Sequence, residues 1–209
     1  LLPLHPLTPD HPLYPEPLRQ FRSGQPAPIN TIGNLQLLQR QKLAFFCSGE
    51  CPADLASQTH SLMATLSAET VVISGFHSPV EKAVLTLLLQ RAQPVICCPA
   101  RSLDAMKLSA EWQTAIAEDR FLLLSMFSTN QRRATAKLAQ TRNQLVATLA
   151  DAIFIAYASP NGKTEALAQQ WHNSGKALLV LDSPANQALL RLGAKPIPPG
   201  RFPQFTKQN

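Results

Sequence analysis

Short apolar runs recur along the chain at 43 to 47, 70 to 74, 94 to 98, 121 to 125, 152 to 157 and 177 to 181, separated by segments of helix length. They are continuous rather than alternating, which is the pattern of strands buried on both faces. Their spacing predicts βαβ units and an open, mostly parallel α/β sheet with helices on both sides. The helix starts are marked by capping chemistry. Ser78-Pro79-Val80-Glu81 reads as a capping box with proline at the first helical position, and Val80, Val84, Leu87 and Leu88 follow at helical spacing, so a helix is predicted from about 79 to 91. Pro52 and Pro184 mark further helix starts.

The ends of the chain read differently. Pro3, Pro6, Pro9, Pro12, Pro15, Pro17, Pro26 and Pro28 are too many for a helix or a central strand, because each lacks a donor and fixes φ. Residues 1–34 are therefore expected to form a Pro-rich extended arm, 35–197 the α/β domain, and 198–209, with Pro198, Pro199 and Pro203, an irregular tail. With 209 residues, 45% of them hydrophobic, one such domain buries a full core and no second domain is required.

Charge and cysteine content narrow the setting. A net charge of +6 favours an anionic partner, nucleic acid or a nucleotide. Cys47, Cys51, Cys97 and Cys98 make neither a disulfide framework nor a zinc spacing, so they read as thiols of a reducing compartment. No apolar run reaches about 18 residues, so no membrane span is expected, and the cytoplasm is the predicted location. The sequence opens at Leu1 without Met, and an upstream segment is expected to have been removed.

Two polar clusters bracket the run at 152 to 157. Thr141-Arg142-Asn143-Gln144 precedes it, and Ser159-Pro160-Asn161-Gly162-Lys163-Thr164-Glu165 follows it. A strand that ends in a Gly-containing turn and then opens a helix gathers free N–H groups, a lysine and a hydroxyl, so the expected ligand is a phosphate. In an open parallel sheet, ligands sit beyond the carboxyl ends of the strands where strand order reverses. Small hydroxyl residues and glycines fill those loops: Cys47-Ser48-Gly49-Glu50, Ser74-Gly75-Phe76-His77-Ser78, Pro99-Ala100-Arg101-Ser102, Ser125-Met126-Phe127-Ser128 and Asp182-Ser183.

Arg142 falls on the apolar stripe through Leu138, Leu145 and Leu149, where it must either pair, with Asp151 or Glu165, or face a cavity. Lys163-Thr164 lacks the full phosphate-loop spacing, so no ATPase is expected. His77 precedes the capped helix, placed to donate to a phosphate or to act as an acid or base. The other histidines, His5, His11, His60 and His172, lack metal-ligand spacing. Trp112 and Trp171 read as packing residues, and no row of aromatic platforms is present. No metal and no cofactor are expected. The candidate binding set is Ser48, Gly75, His77, Ser78, Arg101, Arg142, Asn143, Gly162, Lys163 and Thr164.

Tyr14-Pro15-Glu16-Pro17-Leu18 with Gly33-Asn34-Leu35, then Ser74-Gly75, Arg142-Asn143 with Leu145-Val146, and Asn186 to Gly193-Ala194 occur in an order and spacing that resembles the Rossmann-like core of the DNA-processing protein A family (DprA/Smf). The resemblance covers nearly the whole chain. It implies a Rossmann-like fold, single-stranded DNA binding, a homodimer formed through this core, and transfer of the strand to a RecA-type recombinase in DNA uptake (competence) and recombination. Leu189, Leu190 and Leu192 are a candidate patch for the pairing. Where that family has Gly-Ser-Arg after the first strand this chain has Cys47-Ser48-Gly49, and Phe76-His77-Ser78-Pro79 replaces an Ala-Arg-Gly-Ile-Asp segment, so two basic DNA contacts of the family are missing. The alternative is a nucleotide-binding or nucleotide-hydrolysing protein of the phosphoribohydrolase ("lysine decarboxylase-like") type, an N-glycosidase-type hydrolase with His77 or Glu165 as acid–base group. Its Pro-Gly-Gly-x-Gly-Thr-x-x-Glu motif is echoed only in part by Ser159 to Glu165. Binding rather than catalysis is the expectation.

Overall fold

The computed structural model describes residues 3–21, 25–104, 106–198 and 200–205. In chain order the strands are β1 (His5–Leu7), β2 (Ile29–Gly33), β3 (Lys42–Cys47), β4 (Val71–Ser74), β5 (Val95–Cys97), β6 (Phe121–Ser125), β7 (Ala152–Tyr157), β8 (Leu178–Leu181) and β9 (Lys195–Ile197). The helices are α1 (Ala53–Met63), α2 (Pro79–Gln90), α3 (Ala110–Ala117), α4 (Ala136–Leu149), α5 (Lys163–Asn173) and α6 (Gln187–Leu192). Strands β3 to β8 are the apolar runs of the sequence, and α2 starts at the predicted proline with its capping box formed in full.

One sheet holds all nine strands in the order β1-β2-β6-β5-β4-β3-β7-β8-β9. From β3 the chain steps outward through β4, β5 and β6, then returns to β7 on the other side of β3. Every pairing from β6 across to β9 is parallel. Successive side chains of a strand point to opposite faces, so Leu43, Phe45 and Cys47 join one apolar cluster and Ala44 and Phe46 the other. Helices α1, α2 and α3 cover the first face through Leu55, Leu62, Val84, Leu88 and Ala115. Helices α4, α5 and α6 cover the second through Leu145, Leu149, Leu167, Trp171 and Leu189. The change of face coincides with the reversal of strand order and leaves a crevice between β3 and β7. Full burial of a Phe or Leu contributes about 1.5–3 kcal/mol, and Phe45, Phe121 and Phe154 are wholly enclosed.

The N-terminal segment departs from the expectation of an arm ahead of the domain. β1 pairs antiparallel with β2, β2 pairs antiparallel with β6, and between β1 and β2 lie turns and a short 3-10 helix at Glu16–Arg19. Leu7, Tyr14 and Leu18 are buried in the second face. Prolines exclude a central strand but not an edge strand: Pro6 lies in the outermost strand, and β2 itself contains no proline. Gly33 ends β2 at φ +111, and a Cβ there would stand 2.2 Å from the Phe121 carbonyl oxygen, so only glycine lets the strand close onto β6.

At the other edge, β9 carries Pro196. Of the tail, residues 199 and 206–209 lie outside the described residues. The remainder has no helix or strand, yet Phe202 is buried edge-on against Phe154 and its N–H bonds Thr65. The leucines expected to form a surface patch are used internally: Leu189 is enclosed, and Leu190 and Leu192 pack half-buried on the core.

Candidate functional site

Arg142 decides where the site lies. It sits on α4 with only 5% of its surface exposed, as its place on the apolar stripe requires. Neither anticipated carboxylate partner is used. Asp151 accepts from the Lys42 backbone N–H at 2.7 Å and pairs with the Lys42 ammonium at 3.7 Å, at the far end of the strands. Among the described residues Arg142 forms no ion pair; its Nε donates to Asn143 Oδ1 (2.7 Å) and its Nη1 to the Cys98 carbonyl (2.9 Å). The remaining guanidinium N–H groups have no acceptor among the described residues, which leaves a buried cation with donors available to an anion.

Gly75 makes this placement possible. A Cβ at position 75 would lie 1.3 Å from Arg142 Nη1 and 1.8 Å from its Cζ. The guanidinium therefore lies directly against the turn after β4. The next residue, Phe76, holds φ +48 with its ring buried, a backbone conformation that costs a non-glycine residue of order 1–3 kcal/mol. The capping box fixes the rest of the turn. The buried carboxylate of Glu81 accepts from the N–H groups of His77 (2.7 Å) and Ser78 (3.1 Å), and its other oxygen accepts from Cys47 N–H (3.1 Å). One residue thus caps α2 and ties the loop after β4 to the end of β3. The Ser-Pro-x-Glu spacing predicts the cap; the third bond has no counterpart in the sequence.

Across the switch point, Ser48 Oγ accepts from Ser159 N–H (3.0 Å) and donates to Thr164 Oγ1 (3.2 Å), joining the loops after β3 and β7. Asn161 takes φ +56 in the second of these loops. Gly162 then begins α5 with no side-chain cap, so the first N–H groups of the helix keep their partial positive charge for whatever occupies the crevice. Lys163, exposed at the first position of that helix, adds a full charge.

These elements enclose a cleft of about 430 Å³ lined by Ser48, His77, Ser78, Arg142, Asn143, Gly162, Lys163 and Thr164. A second hollow of about 690 Å³ adjoins it over the ends of β4 and β5, lined by Gly75, Arg101, Lys82, Met106 and Trp112, and it shares His77, Ala139, Arg142 and Lys163 with the first. All ten candidate binding residues line one or both. Glu165 lines neither, and neither does the Asp182-Ser183 turn. The hollow of about 730 Å³ at the opposite end of the sheet has cations too, but they are committed. Lys42 Nζ donates to the carbonyls of Leu38 and Arg40, and Lys176 Nζ to that of Ala150, where burial holds its pKa down.

The thiols at the site are structural. Burial pushes Cys97 up to about 12, partly offset by the Arg142 charge, and raises Cys47 and Cys98 as well.

No curated protein matches the chain in sequence. Solved structures that resemble it include two DNA processing proteins. DNA processing protein A from Streptococcus pneumoniae superposes with a TM-score of 0.78 at 20% identity, over 94% of this chain and 71% of that one. DNA processing protein A from Helicobacter pylori, described for its single-stranded DNA binding mode, superposes with a TM-score of 0.74 at 21% identity, over 93% of this chain and 91% of that one. At these identities the likeness establishes a shared Rossmann-like fold. The family model of DNA recombination-mediator protein A matches residues 5–197, nearly the whole chain, and the chain belongs to that family.

Proposed function

We propose that the cleft at the β3/β7 switch point binds the sugar–phosphate backbone of single-stranded DNA, and that the protein acts in DNA processing and recombination without chemistry on the strand. The observation that carries this is the buried Arg142 guanidinium, unpaired with any carboxylate among the described residues and set beside the uncapped start of α5. A phosphate oxygen completes that arrangement with charge-assisted bonds, and Lys163 supplies the outer contact. The Helicobacter relative is described as a single-stranded DNA binder, which supports the same ligand here. Within this reading the protein pairs with a second copy through its core and hands the strand to a RecA-type recombinase in the cytoplasm.

Fluorescent oligo-dT, duplex DNA and mononucleotides, titrated at two salt concentrations, test the proposal. Oligo-dT is expected to bind best, with a shallow salt dependence of about −0.7 in log–log slope per neutralised phosphate, because few basic residues line the cleft. Loss of detectable oligo-dT binding at low salt, or equal affinity for duplex, overturns it. Tighter binding of a mononucleotide favours the nucleotide-pocket alternative. Light scattering that returns the mass of one 22.8 kDa chain at micromolar concentration overturns the pairing.

A further inference from the structure

We propose that Cys47 and Cys51 are a reversible disulfide-forming pair, a modification site at the carboxyl end of β3 that low-molecular-weight disulfides oxidise. The site does not depend on what the cleft binds. Cys47 closes β3, and its side chain joins the first-face cluster together with Leu43 and Phe45. Cys51 stands just before α1 and packs half-buried on the same cluster. The two thiols interact side chain to side chain. Ser48, Gly49 and Glu50 span the gap between them. Gly49 and Glu50 are exposed and make no hydrogen bond among the described residues, and a Cβ at position 49 would meet nothing within 4 Å. The span can therefore adjust to a bond between the sulfurs without breaking one of its own.

The other two cysteines are placed differently. Cys97 and Cys98 are adjacent and enclosed, and as neighbours at a strand end they turn to opposite faces, Cys97 into the first cluster and Cys98 into the second. Of the four thiols only Cys51 is not buried. In the reduced fold Cys47 is a packing residue; its contact with Cys51 gives it a second use. Burial raises the pKa of both thiols, and their contact raises Cys47 further but lowers Cys51, so the accessible sulfur ionises first. Cys51 is therefore the attacking group. Its thiolate bonds to one sulfur of the small disulfide and expels the other as a thiolate, leaving a mixed disulfide on Cys51. The Cys47 sulfur, once deprotonated, attacks Cys51 Sγ and expels the second half. The small disulfide is reduced to two thiols, the pair is oxidised to one disulfide, and the two protein protons end on the released thiols. The second step gains from proximity, because the fold already holds the sulfurs together. In a reducing compartment such a bond is transient, formed under oxidant and removed by thiol exchange.

The experiment treats the folded full chain with oxidised glutathione at mildly alkaline pH, alkylates the remaining thiols after denaturation, and reads the mass intact and after cleavage at Glu50. The wild-type protein is expected to lose both thiols of the pair while retaining no glutathione. Cleavage at Glu50 then leaves the two flanking peptides joined until dithiothreitol is added. Cys47→Ser is expected to stop at the glutathione adduct on Cys51, and Cys51→Ser to keep every remaining thiol. Cys97 and Cys98 stay available to the alkylating reagent throughout. If a variant does not fold, the wild-type masses decide. Retention of all four thiols, a persistent glutathione adduct on wild-type Cys51, a bond to Cys97 or Cys98, or a bond between two copies of the chain overturns the pair. None of these readouts involves DNA, so failure here leaves the phosphate reading standing, and failure of that reading leaves the pair standing.

Discussion

Gly75→Ala is the sharpest probe of the proposed site, because it displaces the Arg142 cation without altering any charge. The backbone at position 75 is not in the left-handed region, so alanine fits the local conformation. It does not fit the space. With Cβ at 1.3 Å from Arg142 Nη1, an ordinary contact of 3.4 Å or more requires the guanidinium to retreat by roughly 2 Å, which breaks its 2.9 Å bond to the Cys98 carbonyl. A hydrogen bond from a charged donor contributes about 1.5–3 kcal/mol, and the Gly→Ala change returns about 0.4–1 kcal/mol through the unfolded chain. The net loss is about 1–2 kcal/mol, or about 2–8 °C in Tm at this chain length. Affinity for oligo-dT falls by more in proportion: losing the buried phosphate contact costs about 1.5–3 kcal/mol, or roughly ten- to 150-fold. The assay is anisotropy and thermal melting of wild type, Gly75→Ala, Arg142→Ala and the double variant. The two substitutions remove the same contact, so the double variant should bind no worse than Arg142→Ala alone. Wild-type affinity in Gly75→Ala, or full additivity in the double variant, refutes the argument that Gly75 exists to admit Arg142.

Two further outcomes are expected. Asp151→Ala removes the carboxylate paired with the buried Lys42 ammonium, so it should destabilise by about 3–5 kcal/mol in urea unfolding while leaving oligo-dT affinity unchanged, since the pair lies at the far end of the sheet. The buried thiol of Cys97 is neutral in the fold up to about pH 12 but ionises near 9.0 in the unfolded chain. Its folded pKa is raised, so its contribution is intact below pH 9, erodes as pH rises, and is fully lost near 12; melting scans from pH 8 to 11 should show Tm falling less steeply in Cys97→Ala.

The strands were readable because a parallel sheet covered on both faces leaves uninterrupted apolar runs, and α2 was readable because capping chemistry is local. Arg142 stood out for the same local reason, as a cation on an apolar stripe. What escaped the sequence depends on distant approach. Gly75 looks like any turn glycine until Arg142 is laid over it, and Glu81 looks like a cap residue until the Cys47 N–H arrives from β3. The N-terminal strands were masked by the prolines around them, which forbid the middle of a sheet but permit its rim, where Pro6 lies in β1. Trp112, read as packing, has one side against Phe121 and borders the hollow with the other, and nothing in its neighbours along the chain distinguishes it from Trp171.

The two rims of the sheet carry a consequence for assembly. An open sheet invites strand addition wherever its last strand offers a free ladder of N–H and carbonyl groups. Here both terminal strands are three residues long, and each contains a proline, Pro6 on one side and Pro196 on the other. Each rim is short and lacks a donor, so it is a poor template for a strand from another copy. Growth of the sheet from molecule to molecule is disfavoured at both margins, and so is the runaway edge-to-edge stacking that would follow from it. A second copy is left to engage helices and loops rather than to extend the sheet.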